Sequence, residues 1–92
     1  MSESILSNER VCYICGSPDV VCHHIFHGTA NRAISDDEGC WVYLCPPHHT
    51  GREGVHFTPA MDLRLKQLCQ EKWEEINGGR EEFRKRFGKS YL

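Results

Sequence analysis

The sequence predicts a small α+β domain stapled by zinc, and three observations predict it. A chain of 92 residues buries only a modest core, so a structural metal supplies stability that packing alone does not. Two β-branched, apolar stretches, "VVCHHIF" (20–26) and "CWVYLC" (40–45), read as strands, while the residues after Thr58 repeat their apolar positions at helical spacing. Cys12-x2-Cys15 and Cys45-x2-His48 then provide four ligands in two pairs, at the spacing that a tight turn or a first helical turn brings onto one ion.

Taken in order, residues 1–10 are polar and are expected to form a flexible N-terminus. "VCYICGSPD" (11–19) reads as a tight turn flanked by Cys12 and Cys15. The first strand follows and Gly28 breaks it. "TANRAISDDEG" (29–39) is polar and acidic, which predicts a loop or a single helical turn. After the second strand, Pro46 and Pro47 suit the first turn of a short helix that carries His48 and His49 and stops near Gly51 or Gly54. Thr58-Pro59 is an N-cap followed by proline at the first helical position. Met61, Leu65, Leu68, Cys69 and Ile76 then share one helical face, which Trp73 extends, until "NGG" (77–79) stops the helix. A last helix over about 80–87 spaces Phe83 and Phe87 four apart and ends at Gly88. The organisation is therefore a flexible N-terminus (1–10), a zinc-bound core (11–57) and a helical C-terminal extension packed on that core (58–92).

Charge narrows the class of partner. The net charge is −2, without a global basic excess. Residues 1–57 hold seven acidic and three basic side chains, net −4, and residues 58–92 hold six acidic and eight basic, net +2. The last thirteen residues carry Arg80, Arg84, Lys85, Arg86 and Lys89 against Glu81 and Glu82, a tail that can touch phosphate but that on charge alone fits a solvated helix face. No stretch approaches the roughly 20 apolar residues of a membrane span, and "MSESILSNER" lacks the basic and apolar regions of a secretory signal. The expectation is a cytoplasmic protein without a membrane partner. In that reducing compartment six cysteines argue for metal or free thiols over a disulfide framework.

The ligand pattern divides the cysteines and histidines. Cys12, Cys15, Cys45 and His48 complete a tetrahedral zinc shell. Cys22, Cys40 and Cys69 lie on apolar strand or helix faces and read as packing residues. A redox-active CxxC is disfavoured, because no thioredoxin-like βαβ pattern surrounds Cys12 and Cys15. His23, His24, His27, His49 and His56 remain, more than a structural zinc needs. A second histidine cluster beside a closed site suggests chemistry, since catalytic metal sites keep an open position. Neighbouring strand residues face opposite ways, so His23 and His24 can serve two tasks.

The arrangement "CxxC…HHI…LCxxHH" over residues 12–56 resembles the HNH endonuclease superfamily with its ββα-metal (His-Me finger) motif. It is similar in particular to small phage nucleases, including the RecA-dependent recombination-enhancement nucleases. The resemblance implies a ββα-metal core followed by C-terminal helices, in a protein encoded by a phage or mobile element. It implies that His24 is the general base, that His23 and His49 bind a catalytic divalent ion (Mg2+, Mn2+ or Zn2+), and that His56 is a third ligand, at a longer gap than usual. Cys12, Cys15, Cys45 and His48 correspond to the structural Zn2+ shell of the CxxC-bearing branch. The family's central asparagine, which helps orient the base, belongs near Cys40 in "GCWVYLC", where none stands. Either Asn31 takes that catalytic role from the preceding loop or the orienting group is missing.

The implied activity is hydrolysis of DNA phosphodiesters. Histidine, with an ordinary pKa of about 6.5, can take a proton from water near neutrality. The implied partners are DNA and a recombination or phage packaging protein, for a monomer that nicks or a homodimer that cuts both strands. The alternative is a catalytically inactive, zinc-stabilised DNA- or protein-binding module. The surplus histidines distinguish the two, because such a module has no use for them.

Overall fold

The computed structural model describes residues 2–92. Its elements run β1 (Val21–His24), α1 (Thr29–Glu38), β2 (Trp41–Leu44), α2 (Pro46–His49), α3 (Pro59–Asn77) and α4 (Arg80–Phe87). β1 and β2 form a two-stranded antiparallel sheet in which Val21 faces Leu44, Cys22 faces Tyr43, His23 faces Val42 and His24 faces Trp41. Among the described residues no helix is long and apolar enough to cross a membrane.

The stretch expected to be a loop or single turn is a ten-residue helix, α1. Its residues are mostly polar, with Ile34 packed against the core, and tertiary contacts hold it. Ser35 is buried and exchanges hydrogen bonds with the backbone of Phe26, its Oγ donating to the carbonyl at 2.7 Å and accepting from the N–H at 3.3 Å. At the far end Glu38 accepts from Trp73 Nε1 at 2.9 Å and from Arg86 Nε at 2.8 Å. Gly39 ends the helix in the left-handed region at φ 73°, and a Cβ there would collide with the carbonyl of Glu3.

That approach is one of several that fasten the N-terminal segment expected to be flexible. Ser4 is buried and donates to the Trp41 carbonyl at 2.6 Å, Trp41 Nε1 donates to the Ser2 carbonyl at 2.8 Å, and Ile5 N–H donates to the Gly39 carbonyl at 2.9 Å. The segment is polar because its work is hydrogen bonding to α1 and β2. Met1 lies outside the described residues.

The core runs from the sheet into the C-terminal helices. Ile25, Phe26, Val42 and Leu44 are fully buried, with Leu65, Cys69 and Trp73 from α3 and Phe83 and Phe87 from α4. Phe26 is the hinge of this packing, its ring centroid 5.3 Å from Phe83, 4.7 Å from Phe87 and 5.3 Å from Tyr91. The buried stripe of α3 is Leu65, Cys69 and Trp73, spaced by four; Ile76, expected on that face, is exposed at the end of the helix. Cys40 and Cys69 are buried, as expected of packing residues. The fold pairs the arginines of the basic tail: Arg80 lies 3.6 Å from Glu74, Arg84 bonds Glu81 at 2.8 Å, and Arg86 bonds Glu38 and lies 3.8 Å from Asp37.

Candidate metal centres

Cys12, Cys15, Cys45 and His48 converge, each offering one ligand atom within 4.8 Å of the others. Two backbone devices bring them together. Residues 12–16 form a tight turn closed by Gly16 N–H to the Cys12 carbonyl at 2.8 Å and docked on β2 by Tyr13 N–H to the Tyr43 carbonyl at 2.9 Å. The first turn of α2, opened by its two prolines, sets Cys45 Sγ 3.2 Å from His48 Nδ1. Across the two devices, Cys15 Sγ lies 3.6 Å from Cys45 Sγ, and Cys12 Sγ lies 3.7 Å from His48 Nδ1.

The electrostatics suit a cation. Burial pushes the Cys12 thiol up, but hydrogen bonds from the backbone of Cys45, Cys15 and Ile14 outweigh it and lower its pKa to about 6. Cys45 is raised, first by burial and then by the thiols of Cys15 and Cys12 beside it, against the lowering effect of the His48 backbone. A positive ion among the sulfurs would offset the effect of the neighbouring thiols on Cys45. The donor set of three thiols and one imidazole fits a structural zinc.

The second cluster is His23, His49 and His56, whose ligand atoms also lie within 4.8 Å of one another. Ring centroids are 5.2 Å apart for His23 and His49, 5.6 Å for His23 and His56, and 4.7 Å for His49 and His56. The six residues between His49 and His56 fold back over α2: Val55 N–H donates to the His48 carbonyl at 2.9 Å, and a Cβ at Gly54 would meet the His49 carbonyl at 2.8 Å. The long gap is thus taken up by a loop that returns His56 to His49, with the two Nε2 atoms 3.2 Å apart.

His23 is 3 % exposed, and its Nε2 has no hydrogen-bond partner, alone among the buried side-chain nitrogen and oxygen atoms of the described residues. Burial, followed by the neighbouring His49 and His56, lowers its pKa to about 4; burial and His56 lower that of His49. Both rings are therefore held in the neutral form that binds metal. A buried nitrogen left without a partner is costly. A ring nitrogen of His23 lies within 4.8 Å of one from His49 and one from His56, so a metal ion is a partner this ring could take.

A cavity of ≈ 220 Å³ opens beside this cluster, lined by His23, His24, His27, Arg32, His49 and His56 together with Cys22. His24 reaches it from β1 and donates from Nε2 to Asp36 Oδ1 at 2.6 Å. His27 is half-exposed, 3.7 Å from Asp62. Asn31 lies in the first turn of α1, outside the residues that line the cavity. Its α1 neighbours Arg32 and Asp36 are the ones at the site. Sequence reasoning passed over both, because they matter only once residues 29–38 are helical and spacing by four puts them on one face. Cys22, expected to pack on an apolar face, is half-buried on the cavity wall.

No family model, curated protein or solved structure matches the chain.

Proposed function

We propose that this protein is a metal-dependent DNA endonuclease of the HNH type, with β1, β2 and α2 serving as its ββα-metal core. The observation that carries the reading is the division of labour at residues 23 and 24. His23 is buried with an unpartnered nitrogen among His49 and His56, while its neighbour His24 opens onto the same cavity with a different partner. A binding module gains nothing from an orphaned buried imidazole. A hydrolase gains a ligand and a base side by side.

In this reading Cys12, Cys15, Cys45 and His48 hold a structural zinc, and His23, His49 and His56 hold a divalent ion at the cavity. Such an ion supplies charge stabilisation to a phosphodiester and to its leaving oxygen. The chain's own residues do the rest. His24 takes a proton from a water in the cavity, and the water oxygen attacks phosphorus opposite the departing 3′ oxygen. Arg32, exposed on the cavity wall, offers a guanidinium to the non-bridging oxygens. The ion-paired arginines of α4 leave less free positive charge for the DNA backbone than the count of basic residues suggests, so affinity for DNA is expected to be modest and salt-sensitive.

Nicking of supercoiled plasmid tests the proposal. The wild-type chain should nick in the presence of a divalent ion, and His24→Ala should nick about 10²–10⁴-fold more slowly with its zinc content and fold retained. Equal rates would remove His24 from the mechanism. No cleavage by the wild type under any divalent ion would leave a zinc-stabilised binding module in place of an enzyme.

A further inference from the structure

Asp36, which is not among the residues lining the cavity, approaches His24 at Nε2. The Nε2···Oδ1 distance is 2.6 Å. A carboxylate only accepts, so the hydrogen in that bond belongs to Nε2. In a neutral ring Nδ1 then carries the lone pair. The short distance fits a hydrogen bond strengthened by the carboxylate charge.

The helix segment that carries the carboxylate is also held in place. On one side of it, Ser35 locks α1 to the Phe26 backbone at the end of β1, and Cys40 N–H donates to the Ser35 carbonyl at 2.8 Å. On the other side, Glu38 is gripped by Trp73 of α3 and Arg86 of α4. The helix that carries Asp36 is thus fastened to the chain just after β1 on one side of the pair and to α3 and α4 on the other. A group positioned this way loses little order when it acts.

We propose that Asp36 is the positioning residue for His24: it fixes the Nε2–H tautomer and the ring orientation, so that Nδ1 is the nitrogen presented to water. The role rests on the reading of His24 as the base. The protons balance. A water proton moves to Nδ1, Nε2 keeps its own proton in the bond to Asp36, and Asp36 stays a carboxylate facing the imidazolium that forms. The water oxygen bonds to phosphorus as the 3′ oxygen leaves with the electron pair of its bond. An asparagine at the same point would lack the negative charge, and its amide can donate as well as accept, so it would not select a tautomer.

The test compares wild type, Asp36→Asn, His24→Ala and the double variant as full-length, zinc-loaded chains. Two measurements are made: plasmid nicking with Mg2+ or Mn2+, and ring 15N spectra after histidine labelling. Asp36→Asn should lower kcat by about 10–10³-fold with KM within about threefold. The loss is smaller than for a fully buried pair, because the Asp36 side chain is 44 % exposed. The His24 ring should change from the Nε2–H form to a mixture of tautomers, a signature that a merely structural contact would not produce. The double variant should be no slower than His24→Ala, because Asp36 acts through that ring. Nicking by Asp36→Asn within about twofold of wild type, or an unchanged tautomer in that variant, overturns the role of Asp36. If His24→Ala is still slow in that case, the base survives. Wild-type rates in His24→Ala, or no nicking by the wild type, overturn the base and with it the role of Asp36.

Discussion

His48 and His49 are neighbours on α2, yet one turns toward three thiols and the other toward two imidazoles. Successive helical residues point about 100° apart, so a single turn supplies both clusters. The thiol cluster has four protein ligands, a turn docked on β2 and backbone N–H groups that draw Cys12 toward thiolate. The imidazole cluster offers three candidate ligand atoms, a buried His23 whose pKa is lowered, and a cavity at its side. Four protein ligands leave an ion no vacancy, and three leave one for substrate or water. The comparison teaches that one turn of α2 can serve two clusters whose difference lies in the number of candidate ligand atoms and in what surrounds them.

The sharpest way to break this comparison is to remove one ligand from each side. Cys45→Ser should abolish tight zinc binding and cooperative unfolding together. For a small metal site the binding free energy, about 10–16 kcal/mol, is also folding free energy, and it is as large as the roughly 5–15 kcal/mol by which domains are stable. His49→Ala should keep the zinc and the fold. Metal analysis and thermal melting of both variants check this, and equal loss of fold in the two would mean that the clusters do not differ in kind.

The next effect in size belongs to the imidazole cluster alone. Replacing even the outer partners of a metal site costs about 10–100-fold, so His49→Ala should lower nicking by at least about 10²-fold at limiting divalent ion. Excess ion should restore part of the rate, because a missing ligand lowers occupancy and mass action offsets that. His24→Ala should gain nothing from excess ion. A rate profile for His49→Ala that ignores ion concentration would argue against its being a ligand.

The thiol cluster was legible as spacing, because ligand pairs on turns and helix starts obey short-range geometry, whereas the set of His23, His49 and His56 came from the family resemblance. Cys12, Cys15, Cys45 and His48 fall together through two local turns, and the proline pair and Thr58-Pro59 mark true helix starts. What the sequence hid depends on distant partners. α1 is mostly polar, with Ile34 on the core, and is held as Ser35, Glu38 and Gly39 meet Phe26, Trp73, Arg86 and the N-terminal segment. Asp36 was invisible for the same reason, since its position beside His24 follows from that docking. The period of α3 was readable, but Ile76 extends it past the point where Trp73 closes the core.

Acid should act on the imidazole side through His23. Its pKa is lowered in the fold from 6.5 to about 4, so between those values the unfolded chain binds the proton that the folded chain refuses. The stability contributed by neutral His23 is therefore complete above about 6.5 and is lost as pH falls toward about 4, on the order of 3 kcal/mol in all. Denaturant unfolding of wild type and His23→Leu from pH 7.5 to 4 isolates it, because the other titrations are common to both. Wild type should lose stability faster across that window. Parallel curves would mean that His23 does not titrate against the fold.

The smallest expected change sharpens the claim that the thiol cluster is closed. His48 faces the sulfurs through Nδ1, 3.2 Å from Cys45 Sγ and 3.7 Å from Cys12 Sγ. Nδ1 is the ring nitrogen nearer the backbone, so it reaches little farther than a cysteine sulfur from the same position. Four thiolates make a structural zinc shell as readily as three thiolates and an imidazole. His48→Cys should therefore keep one zinc per chain and shift the melting temperature by less than about 8 °C, the equivalent of ~1 kcal/mol in a domain of this size. His48→Ala, with the same backbone and no ligand, should lose both zinc and fold. If His48→Cys fails to hold zinc while His48→Ala stays folded, residue 48 is not a ligand, and the division between the two neighbours on α2 disappears.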